Sequence, residues 1–173
     1  MSIQKTEELL VALKNATNLC GGGPLISLVY CCGLEKPCPI RNYALKLLGI
    51  TPEKFKEVKE KHRIDAEGTC FKNLAYCCSL QKECPFRDKV RKRLNMSDED
   101  YLKYKLEILR DLIPREKLDY ALKTRVMKPL IFIIVDPSGE EWTEWRGLGF
   151  GNPDINAFFI QQVKVKKKIP PPK

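Results

Sequence analysis

The chain repeats itself. Shifted by 46 positions, Tyr30-Cys31-Cys32-Gly33-Leu34-Glu35-Lys36-Pro37-Cys38-Pro39-Ile40-Arg41 falls on Tyr76-Cys77-Cys78-Ser79-Leu80-Gln81-Lys82-Glu83-Cys84-Pro85-Phe86-Arg87, with eight of the twelve pairs identical. An internal repeat constrains architecture before any other feature does, because each copy must fold as one unit and bury its apolar face against its neighbour. The fourth cysteine of each unit lies upstream, Cys20 eleven residues before Cys31 and Cys70 seven before Cys77. The extra four residues correspond to Gly21-Gly22-Gly23-Pro24, which reads as a loop. All eight cysteines therefore fall into two matched sets of four.

The likeness extends beyond the cysteines. Cys38 and Cys84 each precede proline, a residue suited to the first position of a helix because its missing N–H has no partner there anyway. Ile40, Ala44, Leu47 and Leu48 then form one apolar face, closed by Gly49; Phe86, Val90 and Leu94 form its counterpart, closed by Asn95. Thr51-Pro52-Glu53 and Ser97-Asp98-Glu99 both read as a helix cap followed by an acidic first turn. Each unit is thus expected to be a cysteine loop followed by two helices.

Past the second unit, Tyr101 to about Met127 reads as helix interrupted at Pro114. The pattern then changes. Leu130 to Val135 is β-branched and apolar, and Asp136-Pro137-Ser138-Gly139 has turn chemistry, which predicts a hairpin with a return strand near Trp142 to Trp145 and a further strand over Ala157 to Val165. The expected fold class is α+β, with tandem helical cysteine-cluster repeats followed by a small antiparallel β-sheet. Residues 1–115 form the cysteine-rich region, with units at about 20–60 and 70–106. Residues 116–173 form a C-terminal helix and β segment with a basic, proline-rich tail of Lys166-Lys167-Lys168 and Pro170-Pro171-Pro172.

Two four-sulfur sets point to metal. Thiolates suit zinc or iron–sulfur clusters, and Cys20, Cys31, Cys32 and Cys38 with Cys70, Cys77, Cys78 and Cys84 supply two complete sets with none left over. Structural zinc sites draw ligands from short Cys-x-x-Cys knuckles, which this chain lacks. Vicinal cysteines, then five residues, then Cys-Pro fit ligands spread around a larger cluster, so two [4Fe-4S] clusters are the leading expectation and two zinc ions the alternative. A cysteine before proline ligates the neighbouring cluster in bacterial ferredoxins, so ligation across the two units stays open. A helix N-terminus favours thiolate at Cys38 and Cys84. Lys36, Arg41, Lys82 and Arg87 stand at matching places to offset cluster charge or donate to sulfur, with a solvated surface as their plainer role. The vicinal pairs also leave sulfur transfer open.

Charge fits this picture. The net charge of +9 falls to about +5 if two centres of about −2 each are bound, so part of the basic excess serves the protein's own cofactors. The rival is a zinc-stabilised basic module that binds nucleic acid or a protein. The longest apolar run, Leu130 to Val135, is far shorter than the roughly 20 residues of a membrane span, and the N-terminal residues lack a secretory pattern, so the expected location is cytoplasmic. No Cys–His pair, phosphate loop or paired carboxylates appear, and no catalytic residue is assigned. His62, the sole histidine, is left out of the site.

The Tyr-Cys-Cys-x5-Cys-Pro-x-Arg pattern at 30–41 and again at 76–87 resembles the cysteine-rich domain called methanogenesis marker 9 of methanogenic archaea. The resemblance covers about residues 20–105. It implies an iron–sulfur protein of methane metabolism or of the maturation of its enzymes, and it supplies no catalytic residues. The combined reading is a non-enzymatic two-cluster protein that transfers electrons or forms part of a larger protein complex.

Overall fold

Proline follows both Cys38 and Cys84, and in the computed structural model each proline opens a helix: α2 over Pro39–Leu48 and α4 over Pro85–Arg93. Both helices stop at a left-handed residue, Gly49 at φ 67° and Asn95 at φ 53°, the conformation that releases the chain from a helix end. Thr51 and Ser97 then cap α3 (Pro52–Lys61) and α5 (Asp98–Leu112). The Thr51 hydroxyl accepts from the Lys54 amide at 3.1 Å, and the Ser97 hydroxyl from that of Asp100 at 3.1 Å. Asp100 accepts from the Ser97 amide at 2.9 Å in return, completing a capping box.

Two further helices complete the body. α1 spans Ile3–Asn15 and α6 spans Leu118–Lys123. α1 and α3 both pack on α5, and the 3-10 turn Leu25–Tyr30 contacts both α5 and α6. Leu9 and Leu13 of α1, Leu25 to Val29 of that turn, Phe55 of α3 and Tyr101, Ile108 and Leu109 of α5 are buried together. Each such leucine contributes roughly 2 kcal/mol of apolar transfer. Among the described residues no helix is long and apolar enough to cross a membrane.

The structure describes residues 2–125 with their side chains, and beyond them the backbone alone of residues 130–135, 142–149 and 158–163. The α+β expectation is corrected by this body. Within residues 2–125 there is no strand, only the isolated bridges Pro24–Arg125 and Asp65–Asn73, and the region that carries the cysteines is helical. The reason is that fold class follows from which elements close the core, and helices and cysteine loops close this one without a sheet. The backbone segments Leu130–Val135 (β1), Trp142–Gly149 (β2) and Phe158–Val163 (β3) run antiparallel in that order. The turn expected at 136–139 and the tail at 164–173 lie outside the described residues.

Gly49 tests the duplicated helix ending. A Cβ there would meet only the Lys117 ammonium at 3.5 Å, an ordinary contact, so the cost of Gly49→Ala is conformational. Gly49→Ala is expected to lose about 1–2 kcal/mol of stability, as is normal for forcing alanine into a left-handed position. Urea unfolding measures it.

Candidate metal centre

All eight cysteines line one cavity of about 190 Å³. A single water needs only ~10–15 Å³ of such space, so the chamber is built for something larger. Half of the remaining wall also comes in repeat-related pairs: Tyr30 and Tyr76, Lys36 and Lys82, Ile40 and Phe86. No two of the cysteines are joined in a disulfide; Cys20 and Cys70 are exposed, Cys77 is buried, and the others are intermediate.

Local structure explains how the sulfurs arrive there. The 3-10 turns Leu25–Tyr30 and Leu74–Tyr76 deliver Cys31 and Cys77, while Cys38 and Cys84 cap α2 and α4. The Cys38 sulfur accepts from the Arg41 amide at 3.5 Å. Cys20 sits on the short 3-10 turn Leu19–Gly21. Cys31 feels the charges of Cys38, Cys32 and Cys20, and Cys77 those of Cys78 and Cys84, so these sulfurs group by unit. The units nevertheless interlock. The Ser79 amide donates to Asn18 Oδ1 at 2.9 Å, Gln81 donates to the Lys14 carbonyl at 2.8 Å, and Lys82 stands in the field of Cys20. Phe71 lies so close to Gly33 that a Cβ there would come within 3.1 Å of its ring.

Arg41 and Arg87 do not face sulfur. Each is only 2% exposed and binds the carbonyls of its own cysteine loop. Arg41 donates to Cys32 O (3.1 Å), Gly33 O (2.8 Å) and Lys36 O (2.7 Å), and Arg87 to Cys78 O (3.4 Å), Ser79 O (2.6 Å) and Lys82 O (3.0 Å). The three acceptors hold matching places in both copies. Lys36 and Lys82, by contrast, are exposed at the cavity wall.

Two further cations were not anticipated from sequence. Lys59 of α3 and Lys105 of α5 are both 0% exposed. Lys59 donates to Val29 O, to Ala75 O at 2.8 Å and to Cys31 O at 3.4 Å. Lys105 donates to Ala75 O at 2.9 Å, Cys77 O at 3.0 Å, Leu74 O at 3.2 Å and Val29 O at 3.5 Å. Each therefore reaches carbonyls of both units, and a protonated lysine has three N–H groups to share among them. Aromatic faces complete their surroundings. Phe55 and Tyr76 lie 5.2 and 5.4 Å from Lys59, and Tyr30, Tyr101 and Tyr104 lie 5.3 to 5.8 Å from Lys105, within cation–π reach. Among the described residues neither lysine forms an ion pair with a carboxylate.

The signal for these lysines was present in the sequence. Position 59 falls on position 105 under the same 46-residue shift, and each lysine lies four residues after a buried aromatic, Phe55 or Tyr101. His62 pairs with Asp111 at 2.7 Å and is no part of the cavity wall. Among the described residues no three of His, Cys, Asp and Glu stand close enough together to hold a metal ion.

The chain matches a methanogen protein only in part. Over 43 residues it is 44% identical to an uncharacterized protein of Methanocaldococcus jannaschii, a match spanning 25% of this chain and 25% of that protein. No known protein family matches the chain, and no solved structure does. The likeness to methanogenesis marker 9 therefore rests on the repeated cysteine motif.

Burial sets the protonation of the site. It drives Lys59 down to about 7, against the pull of neighbouring cysteine charge, and drives Lys105 well below the usual lysine range, with the Lys59 charge adding to the depression. It pushes the Cys31 thiol up to about 12, against the pull of Lys59. In the metal-free protein, Lys59 binds fewer protons folded than unfolded between pH 7 and its ordinary 10.5, so stability rises with pH in that window. Cys31 acts oppositely between its ordinary 9 and about 12. Urea unfolding of reduced, metal-free protein is thus expected to show stability climbing from pH 7 to pH 9; a flat or falling profile would contradict the buried-lysine assignment. Arg41→Lys and Arg87→Lys each exchange a planar fork for a point donor, and each is expected to lose about 2 kcal/mol through orphaned loop carbonyls. Thermal or urea unfolding reads this.

Proposed function

We propose that the chain is an iron–sulfur protein that holds two [4Fe-4S] clusters through Cys20, Cys31, Cys32 and Cys38 and through Cys70, Cys77, Cys78 and Cys84, and that it transfers electrons or serves as a component or maturation factor of a methanogenesis-associated complex. The observation that carries the reading is the meeting of all eight cysteines at one cavity, with Arg41 in its wall and the buried Lys59, Arg87 and Lys105 bonded to carbonyls of the cysteine turns and loops. Buried charge is costly unless compensated. A thiolate-ligated centre is an anion, and it supplies the compensation that carbonyls and aromatic rings supply only partly.

Cluster and zinc differ in what they ask of the sulfurs. One tetrahedral zinc needs four sulfurs about 2.3 Å from a single point. Among the described residues no three such ligands stand together around a single point, and vicinal cysteines followed by Cys-Pro, with no Cys-x-x-Cys knuckle, suit a centre of several irons better. The partial likeness to a methanogen protein and the repeated marker-9-like motif support a place in methanogen metabolism, and free thiols suit a reducing compartment.

Anaerobic purification with iron, sulfide and zinc analysis tests this. A brown protein with about eight irons and eight sulfides per chain is the expected result for two four-iron clusters. A colourless protein with about two zinc ions would replace the proposal with a zinc-stabilised module, and its basic surface would then be tested against nucleic acid at several salt concentrations.

A further inference from the structure

Lys59 and Lys105 do more than fill space. They are repeat equivalents, fully buried, and each donates across the unit boundary: Lys59 to Ala75 O of the second unit and Lys105 to Val29 O of the first. Lys59 also donates to Cys31 O of the first set and shares Ala75 O, two residues before Cys77, with Lys105. Among the described residues neither lysine forms an ion pair with a carboxylate, and their carbonyl partners belong to the turns that carry Cys31 and Cys77.

We infer that Lys59 and Lys105 are the counter-cations of the two cysteine sets, that Lys59 acts on both sets at once, and that the pair raises the reduction potential of the clusters held there. This rests on the iron–sulfur reading above. A bound anionic cluster favours the protonated lysines beside it, a positive charge there stabilises the state with one more electron, and net charge and hydrogen bonding are the protein's means of setting cluster potential. Lys59 and Lys105 are positioning residues in this sense. Their nitrogens bind carbonyls, and sulfur feels them through space.

The test uses the full chain reconstituted without oxygen with ferrous iron and sulfide, then titrated with dithionite, which supplies one electron per cluster. Lys59→Met and Lys105→Met are compared with the unsubstituted protein, and Lys59→Gln keeps a donor for the carbonyls while removing charge. Two backgrounds separate the sets: Cys78→Ser with Cys84→Ser leaves the first, and Cys32→Ser with Cys38→Ser leaves the second. The expected result is unchanged iron per intact set, a lower midpoint potential in all three lysine variants, and a downward shift from Lys59→Met in both backgrounds. Unchanged potentials with iron retained would overturn the inference while leaving the iron–sulfur reading standing. A shift in Lys59→Met that Lys59→Gln does not reproduce would assign the lysine a structural role and overturn it equally. A shift in one background only would refute the sharing. Failure of the unsubstituted protein to take up iron would refute the iron–sulfur reading itself, and this inference with it.

Discussion

Two ammonium groups tie the duplicated halves together. Lys59 and Lys105 both bind Val29 O and Ala75 O, the carbonyls two residues before Cys31 and Cys77. A lysine placed there is costly, because burial removes water from a charge that has no carboxylate to replace it. The structure offsets part of the cost with seven carbonyl bonds and five aromatic faces. The carbonyls so engaged belong to the turns that aim the vicinal cysteines. Cysteine direction and the joining of the two units are therefore consequences of the same bonds.

The arginines extend this arrangement outward. Each guanidinium gathers three carbonyls from one cysteine loop, and bonds from a charged donor contribute about 1.5–3 kcal/mol apiece. Each loop, Gly33 to Pro37 or Ser79 to Glu83, has one leucine to pack on the core, so much of its shape must come from such a staple. Helices α2 and α4 present the arginines in register because the prolines behind Cys38 and Cys84 fix where each helix begins.

Much of this was legible in the chain. The repeat shift, the proline starts, the Gly49 and Asn95 endings and the Thr51 and Ser97 caps are local signals, and local signals survive translation into structure. The two lysines were not read, because a lysine within a helix looks like surface until its partner in the other copy is aligned with it. α1 was also missed: Ser2 caps it at the Lys5 amide, and Leu9 and Leu13 form its buried stripe, yet it lies outside the repeat that organised the reading. Arg41 and Arg87 were matched correctly as a pair but aimed at sulfur, since spacing alone does not tell a sulfur from the carbonyl beside it. The α+β expectation failed for a different reason. A β-branched run reports its own backbone preference and says nothing of whether the rest of the chain needs it to enclose a core.

The duplication is also imperfect in one revealing place. Position 88 is aspartate where its counterpart, position 42, is asparagine. Arg87 Nε accordingly donates to Asp88 at 2.8 Å, whereas Arg41 Nε is buried without a hydrogen-bond partner. The Arg87 fork is thus held by its loop and by Asp88 together, whereas the Arg41 fork is held by its loop alone. The copied motif therefore has one more firmly anchored half and one looser half, an asymmetry that a single amino-acid difference built in.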